Sequence, residues 1–319
     1  MKRDYSKAIF YLPRDTTAKA LGAQAVEKKL KSRGIEPIRN GSRGMFWLEP
    51  LLEVAVGNQR VAFGPVSPED VDCLLEALRK DDAEAHPLYL GPVDKIEYLA
   101  NQQRLTFARA GHGDPLCLDN YQSLHGFNGL RNALEMSSQD IVNHIKDSGL
   151  RGRGGAAFPT GIKWQTVLDQ PEQQKYIVCN ADEGDSGTFA DRLLMEADPY
   201  QLIEGMTIAG IAVGATQGYI YLRSEYPAAL EVLNIAIERS NVAGFLGADI
   251  CGSGRTFHLE VRLGAGAYIC GEETSLLESL EGKRGTVRYK PPLPAIQGLF
   301  GMPTVVNNVL TLAAVSTVL

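Results

Sequence analysis

From Tyr176 onward the chain alternates short apolar runs with helical runs, and this alternation constrains its fold more than any other feature. Tyr176–Cys179, Tyr219–Leu222 and Phe257–Leu263 read as strands, and Pro199–Val213 and Pro227–Ile237 read as the helices among them. Strands separated by helices of ten or more residues pair in parallel, because a helical crossover returns the chain to the same end of the sheet. The pattern therefore predicts βαβ units around a mostly parallel sheet. Ligands of such sheets bind beyond the carboxyl ends of the strands. The residues that follow each strand are the ones to read for chemistry.

Residues 1–100 follow another rhythm. Ala8–Leu12 is a short strand, and Asp15, Thr16 and Thr17 offer caps for a helix that runs to about Arg33 and stops at Gly34. Ile35–Ile38 begins a second strand. Leu51–Val56 and Arg60–Phe63 read as a hairpin around Gly57-Asn58-Gln59, and Ser67-Pro68-Glu69-Asp70 opens a helix with Val71, Leu74, Leu75 and Leu78 on one face. The order β-α-β-β-β-α predicts a small thioredoxin-like layer. Beyond it, Gly111, Gly113 and Pro115 interrupt the pattern before Gly129–Asn132 and Ser137–Lys146 turn helical. This divides the chain into a thioredoxin-like domain over 1–110, a connecting helical segment over 111–148, and an α/β domain over 149–319.

Composition narrows the function. With Lys plus Arg at 32 against Asp plus Glu at 38, the net charge of −6 does not suit a nucleic-acid binder. Cys73, Cys117, Cys179, Cys251 and Cys270 are scattered and form no C-x-x-C, so no disulfide scaffold and no local metal site is expected. The opening MKRDYSKAIFYLPRD lacks the apolar run of a signal peptide. Gly205–Leu222 and Pro291–Leu319 are free of long charged stretches, but glycines interrupt the first, and prolines and Asn307-Asn308 the second, so neither reads as a spanning helix. The expectation is a cytoplasmic protein with no membrane insertion.

The chemistry is concentrated in a few segments. Gly149–Trp164 holds Gly152, Gly154, Gly155 and Gly161 with Arg151, Arg153 and Lys163 and no acid, as in loops whose backbone N–H groups cradle phosphates; a flexible basic loop is the alternative. Cys179-Asn-Ala-Asp-Glu-Gly-Asp-Ser-Gly187 follows a strand directly and gathers Asn180, Asp182, Glu183 and Asp185, either as a ligand site or as a plain acidic turn. Leu263–Leu277 begins as G-x-G, but the third glycine of a dinucleotide motif would fall on Ile269. A glycine-lined loop, Tyr268, and Glu272 and Glu273 at a helix start remain, and those acids also suit helix capping. Thr304–Asn308 precedes an apolar helix whose amino end Asn307 and Asn308 can cap while it meets a phosphate.

In order and spacing, GLRGRGGAAFPTGIKW, CNADEGDSGTF, GAGAYICGEETSLLES and PTVVNN resemble the NADH-oxidising flavoprotein subunit of respiratory complex I. That module is shared with soluble NAD-linked formate dehydrogenases and NAD-reducing hydrogenases. YLPRD, NGSRGMFWLEP and HPLYLGP in front are similar to the β (diaphorase) subunit of a molybdenum- or tungsten-containing formate dehydrogenase. The resemblance implies a Rossmann-like domain that binds FMN and NAD(H) and passes hydride between them. Carried over by position, Gly152, Arg153, Gly154, Gly155, Lys163, Asn180, Asp182, Glu183, Tyr268, Gly271, Glu272, Asn307 and Asn308 surround FMN. Phe158 stacks on the NAD adenine, and Gly155, Asp185, Glu273 and Lys290 lie along the dinucleotide. Glu183 and Gly155 stand nearest the hydride transfer.

Asp185 stands where relatives commonly carry glutamate, and Leu293 where an aromatic often helps to hold the adenine. In the family, a ubiquitin-like domain and a helical domain with a [4Fe–4S] cluster follow; the sequence lacks both, which reads as a piece of a longer protein. The implied partners are an iron–sulfur and molybdopterin catalytic subunit and a small [2Fe–2S] subunit. The alternatives are a hydrogenase or complex I-like enzyme, or a non-catalytic docking fragment.

Overall fold

The computed structural model describes residues 7–57 and 59–319. Asn58 of the hairpin turn and the first residues of the amino-terminal run lie outside them. By its contacts the chain divides into two units, one ending at Cys117 and the other beginning at Leu118.

In the first unit, β1 (Ile9–Tyr11), β2 (Leu52–Val56), β3 (Gln59–Phe63) and β4 (Tyr89–Pro92) form an antiparallel sheet in that order. The helix expected over 15–33 is divided into α1 (Thr16–Ala20) and α2 (Ala23–Ser32), because Gly22 turns left-handed at φ 105° and ends the first helical run. Asp15 caps α1, accepting from the Thr17 and Ala18 N–H groups. The second strand contracts to a single parallel bridge between Tyr11 and Ile38. α3 (Asp70–Arg79) buries Val71, Leu74, Leu75 and Leu78, the face read from the sequence. With Val26 and Leu30 of α2 they close the core over Val54, Val61 and Phe63. β4 was not expected, since its Gly-Pro ending reads as a turn. The short α4 (Glu97–Ala100) follows.

The second unit begins with α5 (Leu118–Ser123), α6 (Asn128–Leu134), α7 (Ser138–Asp147) and α8 (Thr160–Leu168). Then β5 (Tyr176–Ala181), β6 (Gln217–Leu222), β7 (His258–Leu263) and β8 (Thr304–Asn308) build a parallel sheet in the order β7-β6-β5-β8. α9 (Ala190–Ala197) and α10 (Pro199–Val213) join β5 to β6, α11 (Pro227–Val242) joins β6 to β7, α12 (Glu273–Leu280) lies between β7 and β8, and α13 (Val309–Val318) follows β8. The mixed α/β class and the parallel sheet agree with the sequence reading. β8 is a strand where the sequence suggested only a cap.

α10 is buried along its whole length, as a helix apolar on every side must be. Its one carboxylate, Glu204, accepts hydrogen bonds from Tyr121 Oη and from the N–H groups of Phe127 and Leu130, which offset its burial. α13 crosses so closely that a Cβ on Gly205 would lie 1.9 Å from the Leu312 carbonyl oxygen. On the other face, Val178, Tyr221 and Val306 pack with Leu276 and Leu277 of α12. No helix among the described residues is long and apolar enough to cross a membrane.

Candidate functional site

The sheet grows from β5 through β6 to β7 on one side, then returns to add β8 on the other side of β5. The connections out of β5 and β8 therefore part in opposite directions and leave a crevice beyond their carboxyl ends. Asn180 and Asn308 stand opposite each other in the β5–β8 register at that crevice. A cavity of about 490 Å3 occupies it.

Its wall gathers most of the residues singled out by the sequence: Arg153, Gly154, Gly155, Asn180, Asp182, Glu183, Asp185, Tyr268, Gly271, Glu272 and Asn308. Gly152, Phe158, Lys163, Glu273, Lys290 and Asn307 do not line it. Gly152 closes the glycine loop, its N–H donating to the Phe158 carbonyl at 2.9 Å, and Phe158 projects exposed from the same loop. Asn307 accepts from Trp164 Nε1 at 2.9 Å, and Lys163 Nζ donates to the Val306 carbonyl at 2.8 Å. Burial lowers the Lys163 pKa, with Glu273 opposing. Lys290 bridges Glu272 Oε1 at 2.9 Å and Glu273 Oε1 at 2.8 Å.

The carboxylates on this wall are largely engaged by the fold. Glu183 accepts from the N–H groups of Asp191 at 2.9 Å and Arg192 at 3.1 Å, and from Tyr226 Oη at 3.0 Å, so it caps the start of α9. Glu272 caps α12 through the Thr274 and Ser275 N–H groups. Burial alone would raise its pKa, but hydrogen bonds from Thr274 and Lys290 outweigh that and hold it at about 2. Asp185 accepts from Tyr268 Oη at 2.7 Å, and the Tyr268 ring lies against Gly184, where a Cβ would come within 2.8 Å. Asn180 Nδ2 donates to the Gly271 carbonyl at 2.8 Å and ties the acidic loop to the glycine-lined loop after β7.

Sequence reading missed Asp191. It lines the cavity, is nearly buried, and accepts from Asn308 Nδ2 at 2.6 Å. Burial first, and the neighbouring Glu183 second, push its pKa up to about 7. Its position as an acid at the start of a helix was the available signal, and this suggested a dipole partner rather than a cavity wall. Arg153 lines the cavity too; its backbone N–H is fixed by Thr311 Oγ1 at 2.8 Å, and its guanidinium meets no carboxylate among the described residues.

Residues 145–317 match the Nuo51 FMN-binding domain, Complex1_51K. The NADP-reducing hydrogenase subunit HndC of Solidesulfovibrio fructosivorans is 49% identical over 218 residues, 68% of this chain and 44% of that protein. An NADH-quinone oxidoreductase subunit of Escherichia coli K12 is 50% identical over 217 residues, 67% of this chain and 49% of that protein. The chain thus spans about half the length of the curated relatives it matches. Among solved structures, an NAD+-reducing [NiFe]-hydrogenase in the H2-reduced state aligns with a TM-score of 0.55 and 30% identity, covering 98% of this chain and 52% of that one. The family match takes in the glycine loop, β5, β8 and every residue of the cavity wall, and by it this chain belongs to the Nuo51 FMN-binding domain family.

Proposed function

We propose that the second unit holds FMN in the β5–β8 crevice and aligns NAD(H) against it for hydride transfer, as the flavin-carrying part of a larger NAD-linked enzyme. The observation that carries this reading is the glycine-walled cavity at the point where the sheet reverses its winding.

The residues fit a flavin mononucleotide. The cavity volume is in the range of sites for ligands of that size, about 300–1,000 Å3. Gly154 comes so near Asn308 that a Cβ on it would lie 3.2 Å from the Asn308 Cβ, and a Cβ on Gly271 would lie 3.4 Å from the Asp182 carbonyl oxygen. Backbone therefore forms the wall where a flat ring system needs room. Arg153 and the amino end of α13 supply positive charge for a phosphate. Bound FMN supplies the hydride-accepting ring and a route for passing electrons on singly.

Everything else falls to positioning and electrostatics. Gly155, at φ 102°, turns the loop back over the cavity. Glu183, held by its three donors, is fixed in place at the cavity wall. Asp191 keeps a proton near neutrality at the cavity wall. Asn180, Asp182, Tyr268, Gly271, Glu272, Lys163, Asn307 and Asn308 orient the flavin, directly or through one neighbour. Phe158, Asp185, Glu273 and Lys290 lie along the dinucleotide.

The parent enzyme we infer is an NAD-dependent formate dehydrogenase, on the strength of the amino-terminal segments, with iron–sulfur and molybdopterin subunits as partners and a [4Fe–4S] cluster in the longer protein. A hydrogenase is the second reading, favoured by the structural likeness that runs through both units. Formate-driven against H2-driven NAD+ reduction in the complex purified with this chain decides between them. FMN binding itself is read by fluorescence titration. Saturable one-to-one quenching that Gly154→Val weakens at least about tenfold supports the site; quenching unaffected by that change contradicts it.

A further inference from the structure

A second cavity, of about 650 Å3, lies wholly within the first unit, walled by the start of β3, the end of β4, α4 and the chain around Arg104 and His112. Its charge is one-sided. Arg43, Arg60, Lys95 and Arg104 line it against a single acid, Asp94. Behind the wall, the fully buried Glu53 serves Arg43 at 2.7 Å and Arg60 at 2.6 Å, so one carboxylate answers two guanidinium groups. Arg60 Nη2 is buried with no hydrogen-bond partner.

Arg104 is the least compensated. It donates from Nη2 to the Arg43 carbonyl at 2.9 Å and meets no carboxylate among the described residues. Burial, and then Arg43, hold its pKa below the usual guanidinium value. Lys95, exposed at the rim, likewise pairs with no acid among them. A guanidinium cannot shed its proton to escape this cost, as a lysine or histidine can. The remaining remedy for partly buried cations is a counter-anion.

We propose that this cavity binds a small polyanion whose phosphate or carboxylate oxygens accept from Arg104 and Lys95, within the positive field of Arg43 and Arg60. The chain as a whole is acidic, so the attraction is local to this cavity rather than a general surface property.

His112 is a built-in reporter. It lines the same cavity and is exposed, yet its pKa is pushed down to about 4, first by desolvation and then by Arg43 and Arg60, with Arg104 adding and Glu53 opposing. An anion beside it reverses the repulsive part and raises that pKa.

The test uses the full chain loaded with one equivalent of FMN and freed of excess, so that the β5–β8 crevice is filled and no free flavin phosphate competes for this cavity. Inorganic pyrophosphate and citrate are titrated by calorimetry, and the His112 ring is followed by NMR over pH. Arg104→Gln removes one hydrogen bond and leaves the Glu53 pairs intact, so the unit keeps its fold, checked by circular dichroism. Saturable one-to-one binding, a raised His112 pKa, and at least about tenfold weaker binding in Arg104→Gln support the site. Tighter pyrophosphate marks a phosphate ligand and tighter citrate a carboxylate ligand, and either supports it. Binding that does not saturate, that Arg104→Gln leaves unchanged, or that leaves His112 where it was overturns it.

Discussion

The two cavities meet the problem of buried charge in opposite ways. The crevice of the second unit is walled by carboxylates, and the fold supplies partners for most of them: N–H groups at the start of α9 hold Glu183, those of α12 hold Glu272, Tyr268 holds Asp185, and Asp191 resists ionisation. The half-buried Asp182 carboxylate has no such hydrogen bond among the described residues, and burial raises its pKa. The cavity of the first unit is walled by cations, and the fold supplies one carboxylate, Glu53, beside neutral partners: the Gly111, His112 and Arg43 carbonyls and the Tyr11 ring. Carboxylates are readily answered by backbone N–H groups, which every helix start leaves unpaired. Guanidinium groups need acceptors, and β3, β4 and α4 bring few there. An acid-rich site can thus be largely satisfied before a ligand arrives, whereas a base-rich one is left short of opposite charge.

The sharpest way to break this comparison is to remove the carboxylate that the first cavity does have. Glu53→Gln leaves Arg43 and Arg60 facing a neutral amide in a buried place, and should cost about 3–5 kcal/mol of stability in the first unit. Trp47, exposed, and Trp164, fully buried, report on the two units separately by their emission. The Trp47 transition in urea should move while that of Trp164 holds.

Glu183→Ala is the matching change in the second unit. It strands the Asp191 and Arg192 N–H groups and Tyr226 Oη, for a loss of about 1–3 kcal/mol seen in the Trp164 transition. An unaltered transition would mean that the carboxylate is not held as a cap.

Asp191→Asn has the most specific effect, absent at acid pH and growing as pH rises. An acid ionises near pH 4 when unfolded, and Asp191 titrates at about 7 in the fold. Between those values the native state binds more protons than the unfolded one, so this group's contribution to stability is complete below about pH 4 and is lost as pH rises toward 7. The asparagine variant should therefore gain on the parent progressively across that window. A constant difference at every pH would contradict the assignment.

How much of this is legible in the sequence follows the same division. Local rules mark Pro199 and Pro227 as helix starts, Glu272 as a cap, and the acidic run after β5 as cavity wall, because each depends on neighbours in sequence. Asp191 escapes because its hydrogen-bond partner Asn308 lies far along the chain. β8 escapes because its strand character lies in pairing with β5 rather than in Thr304–Asn308 itself. The basic cavity is invisible, since Arg43, Arg60, Lys95 and Arg104 come from separate segments that only the fold assembles.

Whether the β5–β8 crevice is a working flavin site with a dinucleotide aligned to it is read most directly from the visible spectrum of the FMN-loaded chain before and after anaerobic NADH. A working site gives a bound flavin spectrum that bleaches on adding NADH, and slower bleaching in Phe158→Ala. A bound flavin that stays oxidised would contradict the dinucleotide alignment along Phe158, Asp185, Glu273 and Lys290, and a chain that takes up no FMN would contradict the site itself.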